Sequence, residues 1–169
     1  MKIARADVEA KLEEHHADCF AWAMACCGRE RSEAEDVLQT SYLKVLDGRA
    51  TFASRSSFRT WLFGVIRRTA AEHRRWRAFA RFRSGLNDRP DPSPDAATAV
   101  AHSESSARLL ATLATLTERQ RQLLHLVFYQ DLTIGEAAAV LGISIGTART
   151  HYERGKQRLR ELLTGEDDR

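Results

Sequence analysis

Hydrophobic positions recur three and four residues apart along most of the chain, which is the spacing of one buried face on an α-helix. Alternating apolar and polar runs, which would indicate strands, are missing, and good helix formers such as Ala, Leu, Arg and Glu dominate. The pattern therefore predicts an all-α fold. In the first half of the chain it predicts helices with apolar faces made of Val8, Leu12, Phe20 and Trp22 (over residues 6–27), of Ala34, Val37, Leu38, Tyr42, Val45 and Leu46, and of Phe58, Trp61, Leu62, Val65 and Ile66.

In the second half, the same spacing predicts three further helices. Their apolar faces are Leu123, Leu124, Val127 and Phe128; Ala137, Ala138, Val140 and Leu141; and Ile145, Ala148, Tyr152, Gly155, Leu159 and Leu162.

Polar residues mark where several of these helices begin. A hydroxyl followed three residues later by Glu or Gln forms a capping box, in which each side chain bonds a free backbone N–H. The sequence predicts three such boxes: Ser32 with Glu35, Thr117 with Gln120, and Thr133 with Glu136.

All three prolines, Pro90, Pro92 and Pro94, fall within one short polar stretch. Proline removes a backbone donor and disfavours helix in the residue before it, so this stretch cannot be helical. A polar run of small residues continues to about residue 106. We therefore expect two small helical domains, at 1–83 and 107–169, joined by a flexible linker over 84–106.

The formal net charge is only +3, but the charge is unevenly distributed. Residues 67–89 hold eight arginines against two acids. Such a stripe favours a nucleic-acid partner, and a solvated helix face is the alternative.

The second domain has the order of a helix-turn-helix: a capped short helix, a turn at Gly142, and a longer helix that Ser144 can cap. Small Ala137 and Ala138 would let the two helices approach closely. The second helix would present its first exposed residues to the major groove, where Arg can bond guanine and Thr can reach phosphate or a thymine methyl. The predicted DNA contacts are Thr147, Arg149, Thr150 and Arg154.

These segments resemble a known family in both domains. Residues 116–124 (LTERQRQLL), 131–138 (DLTIGEAA), 142–150 (GISIGTART) and 154–160 (RGKQRLR) resemble region 4 of the extracytoplasmic function (ECF) sigma factors of bacterial RNA polymerase. Residues 33–39 (EAEDVLQ) resemble the signature of region 2, and residues 58–63 (FRTWLF) resemble the start of its promoter-melting helix. The resemblance implies a sigma factor that binds core polymerase, melts the minus-ten element with its first domain and reads the minus-thirty-five element with its second.

The resemblance also implies site residues. The helix from Glu33 would bind the clamp of the largest polymerase subunit through Asp36, Gln39 and apolar Leu43, although Asp36 could instead only extend the capping turn. The loop after this helix would capture a base flipped out of the duplex. The minus-ten residues would be Phe52, Ser54, Ser56, Arg67, Arg68, Glu72, Arg74 and Arg75.

Two departures from the family matter. Arg68 stands where asparagine is frequent, and Glu72 stands where aspartate is frequent, so the preferred minus-ten sequence is open. Thr40 follows Gln39 where glutamate is common. This is either tolerated variation, or a Ser/Thr kinase phosphorylates Thr40 or Ser41 and restores the missing negative charge.

The implied partners are core RNA polymerase, through its clamp and flap, and promoter DNA; the sequence does not settle whether an anti-sigma protein also binds. No Ser-His-Asp set, glycine-rich phosphate loop or carboxylate pair indicates catalysis, and no cofactor is expected. No apolar run reaches the roughly 18 residues of a membrane span, and no export signal is visible. We therefore expect a cytoplasmic protein.

Two other interpretations use the same residues. The output helix-turn-helix of response regulators and quorum-type activators is similar, but those proteins need a phosphate-accepting aspartate at a strand end or a ligand domain. A metal sensor or metalloenzyme could use the histidines and cysteines near the N-terminus, but buried thiols are ordinary among large apolar residues. The residues concerned are His15, His16, Cys19, Cys26 and Cys27, and the sequence predicts no metal there.

Overall fold

The computed structural model of the chain describes residues 5–84, 111 and 113–164. Within these residues the regular structure is helical and no strand is present, so the all-α prediction is confirmed. The helices group into two compact units. The predicted linker lies outside the described residues after Ser84. None of the described helices combines the length and the apolar character that crossing a bilayer requires.

The first unit has four described helices, α1 (Arg5–Glu14), α2 (His16–Cys26), α3 (Arg31–Leu46) and α4 (Phe58–Ser84). Of these, α2, α3 and α4 pack against one another, and α1 packs on α2 and α3. Trp22 lies between them and is fully buried. Its indole Nε1 donates a hydrogen bond of 3.0 Å to the carbonyl oxygen of Phe63, so α2 is tied to the α4 backbone.

The single helix predicted over 6–27 is wrong, because the chain breaks at His15 into α1 and α2. His15 has ψ near 9°, outside the helical range. The His15 ring stacks on the ring of Phe58 of α4, with the ring centres 6.3 Å apart. The ammonium of Lys11 lies 5.8 Å from the centre of the Phe58 ring. These contacts to another helix accompany the break, and local periodicity does not reveal them.

The capping box predicted at Ser32 is also wrong. The cap stands two residues earlier: α3 begins at Arg31, and the carboxylate of Glu30 accepts hydrogen bonds from the backbone N–H groups of Ser32 and Glu33. The Ser32 hydroxyl donates to that same carboxylate at 2.9 Å. A charged acceptor beside the positive end of the helix dipole satisfies two free donors at once.

The apolar face of α4 is mostly as predicted, with one exchange. Phe58, Leu62, Val65 and Ile66 are buried, but Trp61 is only half-buried, and the fully buried aromatic ring is Phe63. The Trp61 ring packs instead against Phe52 of the preceding loop, with ring centres 5.3 Å apart.

The second unit contains α5 (Glu118–Leu124), a π-helical turn (His125–Tyr129), α6 (Ile134–Leu141) and α7 (Ile145–Thr164). Both α5 and α6 pack against α7. The two predicted capping boxes are confirmed: in each, the threonine side chain accepts from the backbone N–H three residues on, and the Gln120 or Glu136 side chain accepts from the threonine N–H.

The π-helical turn corrects part of the predicted core. A π turn holds one more residue than an α turn, so residues after its start are rotated relative to the expected face. Leu126 is therefore buried, whereas Phe128, predicted to be in the core, is exposed and stacks on Tyr152 at 5.8 Å.

Candidate polymerase and nucleic-acid interfaces

The exposed side of α3 carries the predicted polymerase-binding residues. Asp36, Gln39 and Leu43 are all exposed, and at about 100° of rotation per residue they lie with Thr40 on one face of the helix. Leu43 is 48% exposed, so this face offers apolar area as well as polar groups. The face therefore combines a carboxylate, an amide, a hydroxyl and one apolar side chain.

Ser41 does not belong to this surface. It is fully buried, and its hydroxyl donates a 2.7 Å hydrogen bond to the carbonyl of Val37. No kinase can reach it, and a phosphate has no room there, so the prediction of a phosphorylation site at Ser41 is wrong. Thr40 is about 100° from Ser41 around the helix axis and is exposed.

The loop between α3 and α4 forms an aromatic cluster. Phe52 packs against Phe58 and Trp61, with ring centres 5.5 and 5.3 Å away, and the three rings line a cavity of about 370 Å³ that Arg5 and Val8 of α1 also border. Ser57 stands directly before α4 and caps it, its hydroxyl accepting from the N–H of Thr60 at 3.1 Å.

Of the three loop residues predicted to contact the minus-ten element, only Phe52 lines this cavity. Ser54 and Ser56 are exposed on the loop, and Ser54 adopts a left-handed conformation with φ of 55°. The structure thus places one aromatic in the cavity and two hydroxyls outside it.

The charged residues predicted for α4 divide into different environments. Arg68 and Arg75 are exposed, Arg67 is half-buried, and Arg74 donates to the carbonyl of Cys26 at 3.2 Å. Glu72 forms an ion pair with Lys44 of α3, at 2.5 Å, and Lys44 also donates to Thr69. Glu72 therefore joins α3 to α4, and its predicted contact with DNA stays a prediction.

The helix-turn-helix has the predicted local structure. Gly142 adopts the left-handed conformation (φ 62°) at the end of α6, and the Ser144 hydroxyl accepts from the N–H of Thr147 at 3.0 Å. Ala137 and Ala138 are buried, and so are Ala148 and Gly155 on the inner side of α7.

The four predicted DNA residues are all exposed on α7, but they do not form a single row. Thr147, Thr150 and Arg154 lie within about 60° around the helix axis, and Arg149 lies about 100° from Thr150. Ile145, expected on the buried face, is 52% exposed at the first turn of α7.

The cysteines are buried in the first unit, and none is in a disulfide. Burial raises the pKa of the Cys19 thiol to about 12 and that of Cys27 to about 11. Burial likewise raises the pKa of Tyr42, whose hydroxyl lies 3.3 Å from Nδ1 of His16. Among the described residues, no three His, Cys, Asp or Glu side chains come together as a metal site.

Sequence reasoning missed one exposed feature: the aromatic rings of Trp76, Phe79 and Phe82, which point outward on the last part of α4. The signal was present as three aromatic residues spaced by three within the arginine stripe.

Comparisons with known proteins match both units. Residues 12–80 match the family described as Sigma-70 region 2, and residues 112–161 match Sigma-70, region 4. The chain is 32% identical over 160 residues to the ECF RNA polymerase sigma factor RpoE of Cereibacter sphaeroides, covering 92% of this chain and 86% of that protein. It is 30% identical over 138 residues to the ECF RNA polymerase sigma factor SigC of Mycobacterium tuberculosis, covering 82% of this chain and 74% of the relative.

The fold is similar to that of the sigma factor RpoE of Bartonella quintana, solved in complex with the anti-sigma factor NepR, with a TM-score of 0.76, 24% identity, and coverage of 96% of this chain and 99% of that one. This chain belongs to the ECF sigma factors of RNA polymerase. It is a promoter-recognising transcription initiation factor with a DNA-binding region 4, in a family of non-catalytic initiation factors. The response-regulator interpretation is therefore wrong.

Proposed function

We propose that this chain starts transcription by binding core polymerase through the exposed face of α3, the minus-ten element through the loop before α4 and through α4 as far as Arg75, and the minus-thirty-five element through α7. The observation that carries the proposal is the capped α7, with Thr147, Thr150 and Arg154 on one exposed face and Ala148 and Gly155 held inside. The chain itself supplies no catalytic group, and it acts in the cytoplasm, where polymerase and promoters are.

The composition of the exposed α3 face supports binding to the polymerase clamp. An exposed leucine beside Asp36 and Gln39 combines apolar area with polar groups that fix orientation, as in the core and rim of protein interfaces. Leu43→Asp should weaken binding to core polymerase by about tenfold or more, because a charge would be buried without a partner. Glu35→Gln, which alters an exposed residue that pairs with Arg31 beside this face, is the matched control and should bind like the wild type.

The aromatic cavity supports capture of a flipped base. A base leaving the duplex needs a pocket with aromatic walls, and Phe52, Phe58 and Trp61 supply such walls. Phe52→Ala should slow promoter opening on duplex DNA, and a promoter with a mismatched, already open minus-ten region should largely restore initiation.

The α7 face supports readout of the minus-thirty-five element. Loss of one good base contact costs roughly 1–3 kcal/mol, so Arg154→Ala, which removes the cation of this face, should reduce transcription from minus-thirty-five-dependent promoters about tenfold while leaving polymerase binding intact. A promoter that does not depend on a minus-thirty-five element is the control. Unchanged occupancy of the dependent promoter would contradict the assignment of Arg154.

Regulation by an anti-sigma protein is part of the proposal. RpoE of Bartonella quintana was solved with the anti-sigma factor NepR, and CnrH was solved with the cytosolic domain of CnrY. Co-purification of this chain from its own cells, compared between the wild type and Leu43→Asp, would test whether such a partner uses the α3 face.

A further inference from the structure

The outer side of the last part of α4 exposes three large rings. Trp76, Phe79 and Phe82 are 67%, 59% and 85% exposed. At about 100° of rotation per residue, these rings and the exposed side chains of Arg75 and Arg83 fall within about 120° around the helix axis. The five residues therefore form one surface, which we name the aromatic face of α4.

Contacts on the other side of α4 fix the direction of this face. Arg74 donates to the carbonyl of Cys26 in α2, and Arg77 forms an ion pair with Glu33 of α3. The helix thus lies against α2 and α3 with one side, and the aromatic face points away from both.

The aromatic face is also positively charged. Residues 73–84 hold five arginines and no acidic residue. The Arg83 guanidinium lies 5.9 Å from the centre of the Phe79 ring, so a cation stands directly beside a ring. The same face of a second copy would bring like charges together, which is unfavourable. A suitable occupant carries anionic groups together with compact apolar groups that can stack on rings.

The stretch of chain that follows α4 has this composition. Residues 85–110 lie outside the described residues and continue directly from Ser84. Within them, residues 88–95 (DRPDPSPD) hold three prolines, three aspartates and one arginine. Proline fixes its own φ and makes the preceding residue extended, so alternating prolines favour a polyproline II conformation. Such segments bind surfaces lined by aromatic rings, because they lose little conformational entropy on binding.

The spacing of the charges agrees between the segment and the helix. Arg75 and Arg83 are eight residues apart on α4, which is about 12 Å at 1.5 Å per residue. Asp91 and Asp95 are four residues apart, which is also about 12 Å at the 3.1 Å per residue of polyproline II. A segment that runs antiparallel to α4 can therefore pair both aspartates at once, with the intervening prolines over the rings.

The connection after α4 is long enough for this reversal. Six residues, 85–90, separate Ser84 from Asp91. Most reversals between neighbouring elements take about 2–8 residues. Glycine, asparagine and aspartate favour turns, and this connection contains Gly85, Asn87 and Asp88.

We propose that residues 91–95 bind the aromatic face of α4 in the same molecule. The two prolines of the segment stack on the rings, and its two aspartates pair with Arg75 and Arg83. A weak contact is sufficient, because a segment joined to the helix by a short connection has an effective concentration in the millimolar range. The contact lies outside both cores, and residues 96–106 remain as the tether between the two units.

The test uses the full chain labelled with fluorotryptophan, without polymerase or DNA. The three tryptophans give three fluorine NMR resonances, and Trp76→Phe assigns the resonance of Trp76. Buried Trp22 and half-buried Trp61 serve as internal references. Asp91→Asn combined with Asp95→Asn should shift the Trp76 resonance and leave the other two in place. Salt at 1 M should shift the wild-type resonance in the same direction, because the Debye length falls to about 3 Å and exposed ion pairs are screened.

The matched control is Asp88→Asn combined with Glu104→Gln. This chain loses the same number of negative charges from the same stretch, but outside residues 91–95, and its Trp76 resonance should stay at the wild-type position. Exchange of one charge pair tests the register: Arg83→Glu should shift the resonance, and adding Asp91→Arg should return it toward the wild-type position.

The prolines are tested separately. Replacing Pro90, Pro92 and Pro94 with Ser should shift the Trp76 resonance in the same direction as the aspartate substitutions. The thermal unfolding of both units should stay unchanged, because the contact contributes to neither core.

An unchanged Trp76 resonance after substitution of Asp91 and Asp95 would overturn the proposal. An equal shift in the control chain would also overturn it, because the effect would then be one of general charge. Spectra recorded over a tenfold range of protein concentration should be identical. A shift that depends on concentration would mean that the segment binds a second copy, and it too would overturn the proposal.

Discussion

Burial determines the chemistry of the cysteines near the N-terminus. Removal from water disfavours the thiolate, so the pKa of Cys19 rises to about 12 and that of Cys27 to about 11. The thiolate is the form that binds metals and attacks electrophiles. At neutral pH both thiols are therefore held in the unreactive form, which supports a packing role.

Native Cys19 and Cys27 should resist alkylation by iodoacetamide at about pH 8, and both should react once the protein is unfolded. The folded state keeps protons that the unfolded state releases near the ordinary thiol pKa of 9.0. The stability that these two raised pKa values contribute is thus fully present below about pH 9 and is lost as the pH rises toward 11 to 12. Urea midpoints should fall between about pH 8 and pH 10, with a smaller fall in Cys27→Ala. Rapid labelling of the native protein would contradict this account.

The burial of Ser41 was predictable from its position in the sequence. Ser41 is four residues from both Val37 and Val45, which are buried, so its phase already placed it on the inner side of α3. Thr40 is out of phase with these valines and is exposed. The ion pair between Lys44 and Glu72 was not predictable, because it joins residues 28 positions apart on two helices.

Helix ends were predictable where the cap and the pattern agreed. Thr117 and Thr133 each stand directly before their helix with the partner three residues later, and both boxes form. The predicted start of α3 was wrong because the carboxylate of Glu30 caps the helix two residues before Ser32, accepting from the N–H groups of Ser32 and Glu33. The hydrophobic pattern does not show which of two nearby polar residues caps the helix.

The close packing of α7 on α5 depends on Gly155. A Cβ atom there would lie 3.2 Å from Cδ1 of Leu124 and 3.4 Å from Cβ of Gln120. Gly155→Val should therefore lower the free energy of unfolding of the second unit by about 1–3 kcal/mol through overpacking. Urea or thermal unfolding measures this.

Gly146→Val is the control in the same helix, since a Cβ at Gly146 meets only the Ser144 hydroxyl, at 3.8 Å. It should change stability by less than about 0.5 kcal/mol. Equal effects of the two substitutions would mean that the contact between α5 and α7 is looser than the structure indicates.

At the scale of the whole molecule, each unit has a core of its own. Trp22, Leu62 and Phe63 are fully buried in the first unit, and Leu123 and Leu126 are fully buried in the second. The sequence predicted two helical domains because the proline stretch interrupts the helical pattern. It could not predict the aromatic cavity, since Phe52, Phe58 and Val8 meet only through tertiary packing.

If the predicted linker over 84–106 is a tether, its span matters more than its residues. Replacing Pro90, Pro92 and Pro94 with Ser should leave the thermal unfolding of both units unchanged. Isolated fragments 1–83 and 107–169 should also unfold cooperatively. A broad, non-cooperative transition in either fragment would place the boundary elsewhere.

Thr40 lies on the exposed face of α3 that is proposed to bind polymerase. It lies four residues from exposed Asp36, and Lys44, four residues further on, is already paired with Glu72. A phosphate at Thr40 would add about −1.5 to −2 charges beside Asp36, which is unfavourable in the free protein but favourable against a basic clamp. Thr40→Glu should therefore bind core polymerase more tightly than wild type, and Thr40→Ala should bind no more tightly than wild type. The gain should shrink between low and moderate salt, because the charge is exposed and is screened. Equal affinity of the three proteins at low salt would exclude the hypothesis that phosphorylation of Thr40 strengthens polymerase binding. Regulation would then be left to a separate inhibitor.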